Sequence, residues 1–238
     1  MITPIKEYIE FGHFNTKDYG LYLESRNAPT PEEKEIIEDI PLLQGVLDFS
    51  MILGERIFKT REIEYEFKLP NTAYEERKVV ERRIKQLLMS FGEQKLYDTH
   101  DNGYFWLGKC KSVSVKHDPG KRNFIATIIF TVYPFMFTLS NYFDDVWDSF
   151  DFDDGIAGFT KYTINGSKEL TLINTSDNTV APEVAVSSAM TLELDGSSYD
   201  FLKGTATHFV MGLKPGINKI KVTGNGTVSI RWNAEVMG

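Results

Sequence analysis

The stretch NTAYEERKVVERRIKQLLMSFG, residues 71–92, predicts an amphipathic helix around which the first half of the chain is organised. Its apolar side chains recur at the 3.6-residue period of an α-helix, and charged side chains fill the opposite side. The apolar stripe consists of Val80, Ile84, Leu87, Leu88 and Phe91. Because a single stripe needs a partner surface, and strand patterns flank it, we expect the helix to cross one face of an antiparallel sheet.

The ends of this helix carry terminal signals. Thr72 followed three residues later by Glu75 predicts a capping box, in which each side chain satisfies a free amide of the first turn. Glu75 and Glu76 stand where the helix dipole favours anions, and Lys85 lies towards the end that favours cations. Gly92 predicts a left-handed stop.

Alternating apolar residues predict the strands of this sheet. Residues 61–69 place Ile63, Tyr65, Phe67 and Leu69 on one face. Shorter strands are expected within residues 1–26, 46–51 and 95–97, and a long one over residues 104–116. Residues 123–137 are apolar on both faces, so we expect a central strand that is covered on both sides and leaves the sheet at Pro134.

Residues 27–41, NAPTPEEKEIIEDIP, combine three prolines with a cluster of charges. Two interpretations remain open for them. One is a solvated surface connection, and the other is an extended arm, because long segments without structure are uncommon unless they have a purpose.

A change of composition predicts a domain boundary near residue 140. The segment 140–158 alternates aromatic residues with six aspartates, which are Asp144, Asp145, Asp148, Asp151, Asp153 and Asp154. Beyond it, short alternating segments are separated by the turn signals Asn165-Gly166, Asp195-Gly196, Pro215-Gly216 and Gly224-Asn225-Gly226, which predicts an all-β sandwich. The sequence thus predicts a mainly β protein, with an α+β domain at 1–140, an acidic linker at 141–158 and a β-sandwich at 159–238.

Composition limits the classes of function. The chain has 238 residues, 42% of them apolar, and a formal charge of −8, which argues against a protein whose main task is to bind nucleic acid. The only cysteine, Cys110, excludes an internal disulfide and fits synthesis in a reducing compartment. The first residues have no apolar run typical of a signal peptide, and no segment is long and apolar enough to span a membrane.

The sequence identifies no catalytic, cofactor-binding or metal-binding residue. His13, His100, His117 and His208 are scattered, without a second ligand at metal-binding spacing. Cys110 has no sequence context that would lower its pKa. The aspartate run fails the spacing of a calcium loop, so an acidic linker is its simpler interpretation.

Two further patterns have structural and functional interpretations. Basic residues at 109, 111, 116, 121 and 122 are better explained as the exposed side of a sheet than as a nucleic-acid patch. Trp147 and Trp232 offer rings that can stack on a sugar, which keeps a carbohydrate-binding module as the alternative function, although core or linker packing is the simpler interpretation of both. A hydrolase would need two carboxylates at a defined separation, and the aspartate run supplies no such geometry.

The order of features resembles the distal tail proteins of long-tailed siphophages over essentially the whole chain. The matching pieces in the first half are Asp18–Leu23, Gly45–Phe49, Arg61–Phe67 and Thr131–Phe137. In the second half they are LINTSDNTVAPEV and LKPGINKIKVTGNGTVSIRW, residues 172–184 and 213–232, with Gly216–Asn218 and Gly224–Thr227 as the best-matching parts.

This resemblance implies a structural protein without catalytic residues or cofactors. It implies a homo-hexameric ring at the tail tip of the virion, assembled in the cytoplasm of the bacterial host, that joins the tail tube to the baseplate or tip. It also implies an N-terminal ring-forming domain and a C-terminal galectin-like sandwich. The implied partners are the tail tube protein, the tape measure, the tail-associated lysin or tip protein, and receptor-binding or baseplate proteins; neither specific nucleic-acid binding nor a membrane is implied.

Overall fold

The computed structural model describes residues 4–42, 44–52, 54–118, 120–139 and 161–238. Within them the chain is mainly β, with antiparallel sheets and one α-helix, which confirms the predicted fold class. The chain divides into two compact units, one of Met1–Met136 with Met237–Gly238 and the other of Phe137–Val236. The predicted linker at 141–158 lies outside the described residues, so the domain boundaries stay a prediction.

The first unit is an antiparallel sheet with a helix. Its strands are ordered β2-β1-β7-β8-β9-β6-β3. Their bounds are β1 Ile9–Phe11, β2 Phe14–Asn15, β3 Tyr22–Asn27, β6 Arg61–Leu69, β7 Gln94–Asp98, β8 Tyr104–Asp118 and β9 Asn123–Val132, and the helix α1 is Tyr74–Ser90. Two short strands, β4 Ile37–Glu38 and β5 Leu47–Asp48, form a separate pair, and β10 is Met136–Thr138.

The alternating apolar residues of β6 lie in the core of this unit, as the sequence predicts. Ile63, Tyr65, Phe67 and Leu69 on β6 are buried and pack with Ile84 and Leu88 of α1 in one cluster. Strand β6 pairs with β9 over its whole length, from Arg61 opposite Val132 to Leu69 opposite Phe124. A bulge between Cys110 and Ser112 shifts the register of β8 against β9.

Both predicted ends of the helix are wrong. The N-cap is Ala73, which makes no side-chain capping bond, and the Thr72 hydroxyl donates to the carbonyl of Pro70 instead. A backbone acceptor two residues earlier thus takes the hydroxyl that the capping box would need. At the other end Phe91 is the C-cap in an extended conformation, so Gly92 does not act as a left-handed stop.

The expected cover on both faces of β9 is also wrong within the described residues. Its even-numbered side chains are buried, whereas Ile125, Thr127, Ile129 and Thr131 are half-exposed. The helix covers the even face, and the odd face lies beside the charged side chains of β6. An apolar residue on a strand therefore does not by itself indicate a second covering layer.

The second unit is one six-stranded sheet ordered β14-β13-β16-β12-β15, with β11 also paired to β16. The strands of this sheet are β11 Lys161–Asn174, β12 Glu183–Val186, β13 Met190–Leu194, β14 Ser197–Phe201, β15 Gly204–Thr207 and β16 Gly216–Arg231. A further short strand, β17 Glu235–Val236, is not part of this sheet. Strand β11 follows one edge of β16, while the opposite edge pairs first with β13 and then with β12. Strands β11, β12, β13, β14 and β16 contribute side chains to one apolar core, whereas β15 is exposed along its length; the galectin-like assignment stays a prediction.

The turn signals of this unit have mixed outcomes. Asp195 and Gly196, both with positive φ, do connect β13 to β14. The turns expected at Asn165-Gly166 and Gly224-Asn225-Gly226 are wrong, because these residues face each other inside β11 and β16. Gly226, at φ 134°, lies where β16 changes partner, and a Cβ there would meet Ser187 Oγ at 2.3 Å. These glycines serve a close approach of strands and not a chain reversal.

Candidate functional site

The four histidines have ordinary structural surroundings. The His13 ring packs edge-on against Phe91, and His208 packs against Tyr199 and Phe201. His100 lies in a short 3-10 turn, and His117 contacts Glu81. No group of three or more metal-ligating side chains occurs within the described parts of the chain. The histidines are therefore not brought together by the fold.

The other candidates from the sequence are equally separate. Burial raises the pKa of the Cys110 thiol to about 11, so it is a poor nucleophile at neutral pH. Trp232 is only 7% exposed and belongs to the core of the second unit, which leaves no face for a sugar. Trp147 and the six aspartates lie outside the described residues.

The basic cluster consists of exposed side chains on or near β8. Lys111 forms an ion pair with Glu62, and Lys121 lies 3.8 Å from Asp118. Lys109 and Lys116 are exposed on the strand itself. This placement agrees with the interpretation as the exposed side of a sheet.

A buried ionic cluster was not predicted. The Asp98 carboxylate, whose side chain is 1% exposed, accepts a hydrogen bond from Arg26 Nε at 2.8 Å. Its Oδ2 also accepts from the Tyr65 hydroxyl at 2.7 Å, and its Oδ1 accepts from the backbone amide of His100 at 2.9 Å. Arg26 donates in addition to Asp101, which accepts from the indole of Trp106 at 3.2 Å. Five elements of the first unit are thus joined through two carboxylates.

A second arginine extends this cluster. Arg61 is 3% exposed, and its guanidinium lies 4.5 Å from the ring centroid of Trp106. It donates to the carbonyl of Gly238 at 2.7 Å and to that of Ala28 at 3.1 Å. Through the first of these bonds Arg61 holds Gly238 in the first unit, where no sequence pattern places it.

The electrostatics of the cluster indicate a structural role. Burial raises the pKa of Tyr65 well above its usual value, and the Asp98 charge adds to this effect. Burial alone would lower the pKa of Arg26, but Tyr65, Asp101 and Asp98 together raise it. For Arg61, burial and the charge of Arg26 lower the pKa. The pKa values of Tyr65 and Arg26 are moved further from neutral pH, and the charged side chains pair with one another, so the cluster suits stabilisation and not acid–base catalysis.

Residues 32–59 form an arm, which is the largest exposed apolar feature of the described chain. Strands β4 and β5 pair within it, and its base is closed by backbone bonds from Lys59 to Glu32 and from Lys34 to Ile57. The ion pair of Arg56 with Glu33, at 2.5 Å, also lies at the base. Residues 32–41 of the predicted loop-or-arm at 27–41 are therefore in one half of a two-stranded hairpin.

The side chains of this arm face solvent. Nine large apolar residues are between about a third exposed and fully exposed; they are Ile36, Ile37, Ile40, Leu42, Val46, Leu47, Phe49, Met51 and Ile52. Such a dense exposed apolar surface is rare on a monomer and marks an interaction site. The strand expected at 46–51 has its alternation, but it lies in the arm and not on the core.

The residues that carry the family resemblance in the second unit hold loops. Asn174 donates to the carbonyls of Asn178 and Leu213 at 3.0 and 2.8 Å and accepts from the amide of Ser176. Asn218 both accepts from the amide of Lys214 and donates to its carbonyl. The side chains of these two asparagines bond backbone groups of the loops that have no partner in a strand. The two residues therefore have a structural role in this unit.

A shallow recess of about 470 Å³ lies on the outer face of this unit. Ion pairs cross its walls, with Glu193 3.1 Å from Lys221 and Glu169 3.9 Å from Lys219. Its lining contains no aromatic ring, so it lacks the stacking surface that sugar-binding sites commonly use. No helix among the described residues is long and apolar enough to cross a lipid bilayer.

Comparison with known proteins finds the same fold in a phage protein. The chain superposes on the crystal structure of Dit (gp 19.1) from phage SPP1 with a TM-score of 0.62 and 11% identity, covering 95% of this chain and 98% of that one. Two structures of the phage P2 baseplate in its activated conformation, with Ca and with Sr, give TM-scores of 0.43 and 0.41 at 9% identity and the same coverage. No family model and no curated protein matches. The resemblance to distal tail proteins is thus confirmed as a shared fold with the SPP1 protein.

Proposed function

We propose that this chain is a structural hub of a phage tail and has no enzymatic activity. The observation that carries the proposal is the match of the whole chain, both units together, to SPP1 Dit, which is described as a paradigm of the hub adsorption apparatus in phages that infect Gram-positive bacteria. The ionic cluster supports the proposal, because its charged groups are used in mutual pairing.

In this proposal the protein forms a homo-hexameric ring in the virion, at the tip of the tail, after synthesis in the host cytoplasm. The ring connects the tail tube to the baseplate or tip, and its neighbours are the tube protein, the tape measure, the tip protein or lysin, and receptor-binding proteins. Residues 1–140 carry the ring, because the exposed arm belongs to this part. A closed ring needs one heterologous contact repeated around an axis.

Negative-stain microscopy of the purified full-length chain tests this function. A ring with a central hole is the expected image, and compact monomers at all concentrations would overturn the proposal. Residues 1–141 and 156–238, expressed separately and weighed by light scattering, test which part assembles. We expect the first fragment to be a multimer and the second a monomer; the reverse would contradict the assignment of the ring to the first unit.

A further inference from the structure

The outer face of α1 carries basic and apolar residues that nothing in the described chain covers. Val79, Arg82, Arg83, Gln86 and Met89 lie at helical spacing and are exposed, Val79 at 64% and Met89 at 53%. Neither arginine forms an ion pair within the described residues, whereas Lys78 and Lys85 are both occupied by Glu81. We call these five residues the outer helix face.

The arm carries the opposite charge. It has seven acidic and three basic residues, and α1 has five basic and three acidic ones. Glu35, Glu38 and Asp39 are exposed and have no ion pair among the described residues. The exposed Ile36, Ile37 and Ile40 stand between and after these acidic residues, so that residues 35–40 form a strip that is both acidic and apolar.

The two surfaces also agree in length. From Val79 to Met89 the helix advances about 15 Å, at about 1.5 Å per residue. Residues 35–40 span about 17 Å, at about 3.3 Å per residue of extended chain. The strip of three carboxylates and three isoleucines therefore has about the same length as the outer helix face, in which two arginines lie between apolar ends.

We infer that residues 35–40 of one copy dock along the outer helix face of a second copy. A second copy is the occupant because both surfaces are exposed at once in the same chain, so neither covers the other within a monomer. The contact is heterologous, since arm and helix are different surfaces, and repetition of such a contact closes a ring. The inference rests on the proposed ring and names the surface that receives the arm.

Charge reversal in the full-length chain tests this docking. In R82E/R83E the arginines become repulsive to the arm, and the concentration for half-assembly, measured by light scattering, should rise about tenfold or more. E35K/E38K/D39K should weaken assembly similarly. The variant with all five reversals restores opposite charges and should return to within about threefold of wild type. Circular dichroism should show unchanged folding, because all five positions are exposed.

A matched control distinguishes the outer helix face from the half-exposed face of the sheet. K109E/K116E also reverses two exposed basic residues of the first unit, and it should leave assembly unchanged. A wild-type ring that R82E/R83E leaves intact, or that only K109E/K116E weakens, overturns this docking while the hub proposal stands. The docking is also overturned if the variant with all five reversals assembles no better than R82E/R83E or E35K/E38K/D39K alone. A wild-type chain that stays monomeric overturns both.

Discussion

The two units bury polar groups of different kinds. The first unit buries charges, with Arg61, Arg77 and Asp98 each less than 5% exposed. The second buries neutral groups, above all Asn174 and Asn218. A neutral amide needs only hydrogen-bond partners, whereas the desolvation of a buried charge costs several kcal/mol that its partners must offset. The first unit should therefore depend more steeply on single partners than the second.

The largest expected effect comes from a carboxylate placed in the first unit without a partner. Ile84 is fully buried in the core between α1 and the sheet. Ile84→Asp removes this packing and buries a charge alone, so we expect a loss of about 5 kcal/mol in the free energy of unfolding. Chemical denaturation measures it. Glu93→Ala, at an exposed position just after the helix, is the control, and its free energy of unfolding should stay within about 0.5 kcal/mol of wild type. Equal losses in the two variants would contradict the placement of Ile84 in the core.

The next effect tests the ionic cluster itself. Asp98→Ala leaves the Nε of the partly buried Arg26 and the buried Tyr65 hydroxyl without their acceptor, which should cost about 3–5 kcal/mol. The control lies in the second unit, where the exposed Asp200 accepts one bond from Thr191, and Asp200→Ala should cost less than about 1 kcal/mol. Melting curves of the two variants that coincide would show that the cluster contributes nothing beyond an exposed carboxylate.

The corresponding change in the second unit should be smaller. Asn174→Ala removes two donated bonds and one accepted bond from neutral partners. We expect a loss of about 1–3 kcal/mol, because the carbonyls and the amide left behind carry no net charge. Thermal melting of this variant and of Asn165→Ala, an exposed asparagine on β11, gives the comparison. A loss as large as that of Asp98→Ala would contradict the difference between the units.

The parts of the fold that the sequence predicts are those fixed by local periodicity. The stripe of α1 and the alternation of β6 follow from side-chain direction alone, and both are confirmed. The turn predictions failed where a distant strand decides the conformation, whereas the predicted capping box failed because a local backbone acceptor takes the Thr72 hydroxyl. Gly224 and Gly226 read as a turn, but they face β11, about sixty residues earlier in the chain.

The features most relevant to function were harder to predict. Arg26 and Asp98 are 72 residues apart, and each alone has the sequence pattern of an exposed strand residue. In the strand order, β3 and β6 lie on one side of β9, and β7 lies on the other side, beyond β8. The contact between Arg26 and Asp98 therefore depends on the folded sheet and not on neighbouring strands. The arm was anticipated as one of two interpretations because of its prolines and charges. Its second half was not, since the alternation at 46–51 is the same for a hairpin in solvent and a strand on a core.

The smallest expected effect lies at the contact of α1 with β8, where a charge is only partly buried. Glu81 Oε1 accepts from Lys85 Nζ at 2.7 Å, and Oε2 lies 2.7 Å from His117 Nε2. These hydrogen bonds, first from Lys85 and then from His117, lower the Glu81 pKa from 4.5 to about 2 against the opposing effect of burial. Glu81→Gln removes the charge and should cost about 1 kcal/mol at neutral pH.

The pH dependence of that difference identifies its cause. Because the pKa of Glu81 is lower in the folded than in the unfolded chain, its stabilisation is complete above pH 4.5 and is lost as the pH falls towards about 2. Denaturation of wild type and Glu81→Gln at several pH values should therefore give curves that differ above pH 4.5 and converge near pH 2. The exposed Glu76, changed to Gln, should show no such convergence. If the two curves instead stayed parallel through this range, the ion pairs of Glu81 with Lys85 and His117 would not be the source of the stability, and this contact would resemble the neutral bonding of the second unit.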